Sequence, residues 1–537
     1  MSAPRFPVIR TLAIVLTVFL SGCGDDNGEA GPGDTTPPAA VTDLFVAATG
    51  SSSATLTWTA PGDDGTTGTA SEYDLRYSDS SDITSESDWA SATQVSGEPV
   101  PRAAGMPETL AVAVLTGKKV FHFALKAADE VPNWSGLSNP ASADVDVTPP
   151  AAVQDLAVTA TTESSITLGW TSPGDDASTG TASQYDIRYS MSTITETNWN
   201  TVTQASGEPV PQPAGSTEEF VVTGLLAGTP YYVALKTADE VLNWSGLSTQ
   251  ATGITAFPLP DMVPVPAGTF TMGDGAAYCG IDVHEVTLTH AFTIGQYEVT
   301  NQEYRDALQW AYGHGHVAAT SASVETNLDG GGEELVDLDA SDCEISFSNG
   351  IFTVDPGKED HPVLEVSWYG AAAYCDWLNL QEGLPRAYNH FTWVCNGGDP
   401  YGASGYRLPT DAEWEYAAQY NDGRTYPWGD ESPHSGRANY DNNVGSTAPV
   451  GSYPSAPASL GLYDMAGNVW EWCNDSHTCS LGTDPQTDPT GPGSGSYRVG
   501  RGGSYLNDAS TLRRAGRSYS EPWNSQGHLG FRCARSQ

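Results

Sequence analysis

Residues Gly405–Ala418 read GYRLPTDAEWEYAA, and the C-terminal half of the chain is best understood outward from them. Thr410-Asp411-Ala412-Glu413 has the form Thr-x-x-Glu, in which each side chain satisfies the other residue's backbone N–H at the start of a helix. This predicts a helix opening after Thr410. Thr300-Asn301-Gln302-Glu303 has the same form and predicts another. A third helix is expected after Ser367, with Ala371, Cys375 and Leu378 on one face. Met262–Gly273 (MVPVPAGTFTMG) reads as strand, turn and strand. The remainder is rich in Gly, Asn and aromatic residues with few long periodic runs. Residues 261–537 are therefore expected to form an α+β domain with much irregular structure. Trp414, Trp428, Trp470 and Trp472 can each bury a large apolar area, and each indole N–H then needs an acceptor. Arg407, Arg517 and Arg532 call for carboxylate or carbonyl partners. Gly467 and Gly502-Gly503 suit turns at positive φ.

The first half is a duplication. TPPAAV at Thr36–Val41 returns at Thr148–Val153, and Tyr73-Asp74-Leu75-Arg76-Tyr77 returns as Tyr185-Asp186-Ile187-Arg188-Tyr189. Asn133–Ser138 (NWSGLS) returns at Asn243–Ser248, two residues early, so the second copy is shorter between Tyr189 and Trp199. Such a unit is too long for a solenoid repeat of about 20–50 residues and reads as a whole domain. Leu56 and Trp58, then Tyr73, Leu75 and Tyr77, alternate with polar residues, the period of half-buried strands. The copies, 37–147 and 148–257, resemble fibronectin type III domains. The resemblance rests on the Pro-Pro start, Trp58 and Trp170, the YDLRY strand, and the ending ADEVxNWSGLS. In the second copy Leu225, Thr229, Tyr231 and Val233 match the tyrosine-corner strand; the first copy has Phe121 at that place. The exposed YDLRY strand or Trp89 could bind a ligand, but packing within a sandwich is the favoured reading.

Composition narrows the partners. Of 537 residues, Lys and Arg number 22 and Asp and Glu 66, a formal charge of −44. A surface so short of cations repels phosphate backbones, which excludes nucleic acid as a partner. Apolar residues at 39%, including 15 Trp, are enough for real cores and too many for a disordered chain. At the N-terminus Arg5 and Arg10 precede the apolar run Thr11–Leu20, which is followed by Leu20-Ser21-Gly22-Cys23. The run is too short for a bilayer span of about 20 residues and reads as an export signal. Leu-Ser-Gly-Cys resembles a bacterial lipobox. That implies a signal peptide over 1–22, acylation of Cys23, a tether over 23–36, and a protein exported and lipid-anchored to the cell envelope. The seven other cysteines all lie beyond residue 260. An odd number leaves at least one unpaired, Cys279, Cys343 and Cys395 being unable all to pair with one another. Cys473 and Cys479 are close enough in sequence to pair locally.

Eight strings then fall in one family order: PAGTFTMG (266–273), YEVTNQEY (297–304), HPVLEVSWYGAAAYCDWL (361–378), GYRLPTDAEWEYAA (405–418), YPWGD (426–430), GLYDMAGNVWEWCND (461–475), RVGRGGSY (498–505) and LGFRCAR (529–535). Residues 261–537 resemble the sulfatase-modifying-factor domain of formylglycine-generating enzyme, whose fold is related to C-type lectins. The expected fold class is multidomain: two all-β immunoglobulin-like sandwiches of fibronectin type III kind, and one α+β C-type-lectin-like sulfatase-modifying-factor domain. The resemblance implies Ca²⁺ at two sets of residues, Asp464, Gly467, Val469 and Glu471, and Asn439, Tyr440, Asn442 and Val444. It also implies a bridge between Cys375 and Cys533.

The chemistry of the family is where the resemblance fails. The enzyme oxidises a substrate cysteine with copper(I) held by two cysteines, and thiolates are soft ligands suited to that ion. The corresponding positions here fall near Asn507 and Leu512, and no Cys lies between Gly503 and Phe531. A related branch holds iron on histidines of an extra helical domain that has no match here. Copper and iron are therefore not expected, and no catalytic residue is assigned. Residues 498–535 hold seven Arg against Asp508 and Glu521. Internal pairing with the acidic remainder is the favoured reading. The alternative is a ligand groove contacted by Arg513, Tyr519, Trp523 and Asn524. The leading expectation is a lipid-anchored binding or adhesion module for an extracytoplasmic protein, peptide or glycan. The alternatives are a family enzyme with an atypical metal centre, and a structural envelope protein.

Overall fold

The structure, a computed structural model, describes residues 33–50, 52–113, 115, 119–275, 282–419, 421–454 and 460–536. The signal peptide, Cys23, most of the tether and Cys279 lie outside the described residues. No described helix is long and apolar enough to cross a membrane. The chain divides into two compact units, one reaching Thr148 and including 241–243, the other holding 149–240 and 244–537.

The first unit is a sandwich of two antiparallel sheets. One orders Phe45–Gly50, Ser53–Thr59 and Pro107–Ala113; the other orders Thr93–Gln94, Glu72–Ser78, Lys119–Ala128 and Ala141–Val145. Alternation places Leu56, Trp58, Tyr73, Leu75 and Phe123 inside, and the Trp58 and Tyr73 rings meet edge to face at 5.2 Å. A short helix α1 (Glu86–Ser91) is closed by a capping box of Ser85 and Asp88. Arg76 pairs with Asp74 and lies 4.7 Å over Trp89; no residue from Tyr73 to Tyr77 is exposed, so this strand and this Trp serve packing.

The second unit opens with the same sandwich. Trp170 and Tyr185 repeat the edge-to-face pair at 5.1 Å. Tyr231 accepts the Leu226 N–H at 3.0 Å, closing the tyrosine corner that Phe121 cannot make in the first copy. Where this copy is two residues shorter, α1 is replaced by a single 3₁₀ turn at Trp199–Thr201 without a side-chain cap.

The C-terminal domain builds its core around three further helices: α2 (Asn301–Gly313), α3 (Trp368–Gln381) and α4 (Asp411–Gln419). Both expected capping boxes form. Thr300 and Glu303 exchange bonds of 2.9 and 3.1 Å, as do Thr410 and Glu413. Ser367 caps α3 by accepting the Gly370 N–H at 3.1 Å. Ala371, Cys375 and Leu378 are buried as expected, but nearly the whole of α3 is inside, so it is a central helix and not an amphipathic one. The domain's two ends are tied in one sheet ordered Met262–Val265, Phe292–Gly295, Ala534–Ser536, Tyr406–Arg407. A second sheet, ordered Arg517–Ser520, Arg498–Arg501, Trp470–Ser476, Leu529–Gly530, carries the residues of functional interest.

The segment that leaves the second sandwich packs into the core of this domain. Phe257, the last residue of the expected second sandwich, is 1% exposed and packs edge to face on Trp310 of α2 at 5.6 Å. Gln381 at the end of α3 clamps its backbone from both sides, at 2.8 and 2.7 Å. Gly228 comes so close to α2 that a Cβ would sit 2.0 Å from the Asp306 carbonyl oxygen, so this loop can approach only as glycine.

Candidate functional site

The turn Gly502-Gly503 has φ of +93° and +81°, as expected, and delivers the loop Ser504–Leu512 beside the strand Trp470–Ser476. Asn507 stands near one of the two positions expected, from the resemblance, to correspond to the copper-binding cysteines. Its Oδ1 accepts from the Ser504 hydroxyl at 2.6 Å, the Ser504 N–H at 3.2 Å and the Trp470 indole at 2.8 Å. It is a hydrogen-bond hub that fixes the loop. Leu512, near the other position, is fully buried and packs with Ala438 and Ala466. An amide committed to three donors and a buried alkyl chain do not fit copper(I), which requires soft sulfur ligands.

Neither Cys473 nor Cys479 replaces the missing pair. Cys473 is a buried free thiol whose pKa burial pushes well above the usual range, which leaves it unreactive. Cys479 is disulfide-bonded, so the expected local pairing with Cys473 is corrected: the two side chains have separate fates. Cys375 and Cys533 do meet, with sulfurs 3.7 Å apart, but as free thiols and not as the expected bridge.

The four ligand candidates have different surroundings. Arg513 is turned to Asp274 at 2.5 Å, and the Asn524 amide donates to Ser520 at 3.0 Å. Tyr519 is 41% exposed and stacks on His477 at 4.5 Å, with Tyr497 at 5.0 Å. Trp523 is 61% exposed. Below Tyr519 a cleft of about 20 Å³ lies between Trp470, Trp472, Gln526 and His528, room for about one water. Burial lowers the His528 pKa, which keeps the ring neutral at neutral pH.

The arginine-rich stretch is mostly internal. Arg501 and Arg517 pair with Asp411, Arg501 and Arg514 with Glu415, Arg532 with Glu471 and Arg535 with Glu382. Arg498 alone among the seven has no carboxylate within ion-pair distance among the described residues.

The two candidate Ca²⁺ sets differ. Glu471 gives both oxygens to Arg532, at 2.6 and 2.7 Å, and one also to the Trp414 indole. Asp464, at φ +55°, accepts the N–H groups of Gly451 and Tyr453. These carboxylates are committed, and Arg532 already supplies the positive charge between them. Gly467 and Val469 are buried in the same turn, Gly467 pressed on the Asn439 backbone. Sequence reasoning missed Glu298 of the YEVTN string. It is buried beside Asp464 and Glu471, and its pKa is raised well above the usual carboxylate range by burial first and then by those two neighbours. At the second set the Asn439 Oδ1 is buried without a donor. Its amide nitrogen is held by the Ser446 carbonyl and Asn468. Asn442 sits at φ +56° and donates its N–H to the Tyr505 carbonyl at 2.7 Å, Tyr440 is half-buried, and Val444 is exposed. The orphaned amide oxygen of Asn439 is a hard donor of the kind Ca²⁺ prefers, and in that respect this set fits the ion.

A family model described as "Sulfatase-modifying factor enzyme 1-like domain" matches residues 248–537, just over half of the chain. The chain belongs to the sulfatase-modifying factor enzyme 1-like family. A fibronectin type III model matches residues 151–251, ahead of the sulfatase-modifying-factor domain. The chain is 36% identical over 308 residues to formylglycine-generating enzyme of Streptomyces coelicolor, covering 51% of this chain and 88% of that enzyme. It is 34% identical over 283 residues to serine/threonine-protein kinase Pkn1 of Chlamydia trachomatis. That match covers 52% of this chain and spans only 38% of the relative's length. Among solved structures, Treponema denticola variable protein 1 covers 54% of this chain and 96% of its own, at 26% identity and a TM-score of 0.38.

Proposed function

We propose that the protein is an exported, lipid-anchored display protein of the bacterial envelope, and that its sulfatase-modifying-factor domain binds an extracytoplasmic ligand instead of oxidising one. The observation that carries this reading is the pair Asn507 and Leu512. One is a saturated hydrogen-bond acceptor, the other a core side chain, where copper(I) chemistry needs two thiolates. Around them the domain keeps its architecture. The loop is held by hydrogen bonds to Asn507, the cleft near Tyr519 has room for about one water, and the exposed Tyr519 and Trp523 remain for contact with a protein or glycan surface. Aromatic rings that present an apolar face and a polar edge suit such recognition. In this reading Ca²⁺ is a structural ion held at Asn439, where it stiffens the 439–444 loop that is hydrogen-bonded to Tyr505 and Asn507.

The test of the non-oxidase reading is to load the purified protein with copper(I) and supply a peptide containing Cys-x-Pro-x-Arg. Mass spectrometry should find the cysteine unchanged; a copper-dependent aldehyde would make the domain an oxidase. For the anchor, Cys23→Ala should move the protein from the membrane fraction to the soluble one, and a wild type that needs no detergent would refute it.

A further inference from the structure

In a chain with 66 acidic residues, an unpaired arginine is the exception. Among the described residues every other arginine has a carboxylate within ion-pair distance; Arg498 does not. Its guanidinium lies 3.8 Å over the fully buried Trp368 ring and gives one hydrogen bond, from Nη1 to the Asn474 carbonyl at 2.6 Å. It faces a cavity of about 270 Å³ between the 392–400 loop, the end of the Trp470–Ser476 strand and the 490–495 loop. Arg498 is the one charged residue lining that cavity.

Trp393 lines the cavity, is 4% exposed, and its indole N–H is buried with no acceptor. A buried donor left unmade costs about 1–3 kcal/mol. Trp393 is also held at φ +54°, unusual for a bulky side chain, and is fixed between His390 at 4.3 Å and Tyr369 at 4.8 Å. Such strain persists only where the surroundings enforce it.

We propose that this cavity binds a small hydroxylated monocarboxylate, a sugar acid, with Arg498 gripping the carboxylate and the Ser476, Thr490 and Ser494 hydroxyls bonding to the hydroxyls of the ligand. A guanidinium presents two parallel donors that match a carboxylate. A single cation in a strongly acidic protein favours a monoanion over a phosphate dianion. The neutral hydroxyls of the wall complement hydroxyls on the ligand, and the volume is at the small end of ligand cavities, suited to one sugar ring. This site is separate from the Asn507 loop, so its fate and that of the non-oxidase reading are decided by different measurements.

The experiment is calorimetric titration of the purified full chain at low salt with glucuronate, glucose and phosphate. Glucuronate should bind saturably, with glucose and phosphate at least about tenfold weaker, since a charged hydrogen bond contributes on that scale. Arg498→Gln should abolish binding, and Arg498→Lys, which keeps charge but not the fork, should weaken it about tenfold or more. Gly493→Leu is the second variant. Gly493 lines the cavity, a Cβ there meets no protein atom within 4 Å, and the added bulk should block the ligand with the melting temperature unchanged. The proposal fails if glucuronate does not bind, if glucose or phosphate binds as well, or if Arg498→Gln and Gly493→Leu both leave binding intact.

Discussion

Two side chains of the C-terminal domain carry predictions of their own. The orphaned oxygen of Asn439 is the first. A ligand of the folded state stabilises by mass action, about 2.7 kcal/mol at 100 times its Kd. Ca²⁺ should therefore raise the melting temperature above that in chelator, and Asn439→Ser should remove the difference. Superimposable wild-type curves with and without the ion would refute the site. Cys375 and Cys533 are the second. Their sulfurs are 3.7 Å apart in the core, close enough for an oxidant to join them. Closing 158 residues would contribute at most ~5 kcal/mol on the loop-entropy model. Peptide mapping of oxidised protein without reduction should find these two joined, and Cys473 still free.

At the scale of elements, the strand Trp470–Ser476 concentrates buried charge. Its Asp475 is fully inside, accepts the Asp411 N–H that opens α4 at 2.9 Å, and has its pKa raised to about 7 by burial first and Asp411 second. A carboxyl whose pKa is higher folded than unfolded holds its proton more tightly in the fold. Its stabilising effect is thus fully present below the unfolded value near 4 and is lost as pH rises through about 7. Asp475→Asn keeps the acceptor and removes the charge. The melting temperature of this variant should fall less between pH 5 and pH 8 than that of the wild type. Parallel pH profiles would show that Asp475 does not titrate there. The capping boxes are the opposite case, local and legible. Thr-x-x-Glu marked the starts of α2 and α4 because the bonds span only three residues. The loss of a short helix from the second sandwich follows from its shorter sequence between Tyr189 and Trp199.

At the scale of the molecule, the second sandwich is more than a spacer. Phe257 sits in the core of the C-terminal domain against Trp310, and Gln381 holds its backbone. Phe257→Ala should cost about 3–5 kcal/mol, the usual range for a buried aromatic. A fragment beginning at residue 258 should melt well below one beginning at residue 148, because Trp310 loses its cover. Equal melting temperatures for the two fragments would show that the packing of Phe257 contributes nothing.

The sequence by itself determined the domain order, the duplication, the helix starts and the absence of a thiol pair at Asn507 and Leu512. Each of these depends on spacing within a few residues, or on which residue stands at one position. It did not determine partners. Arg513 finds Asp274 across 239 residues, and Arg532 occupies the carboxylate of Glu471 that was expected to hold an ion. Cys473 stays free while its neighbour Cys479 is bridged. Seven arginines within 38 residues look alike in sequence, yet the fold gives six of them carboxylates and leaves Arg498 over Trp368 at a cavity. Charges and donors are satisfied by whichever groups the chain brings within about 3 Å, and that depends on the packing of segments far apart in sequence.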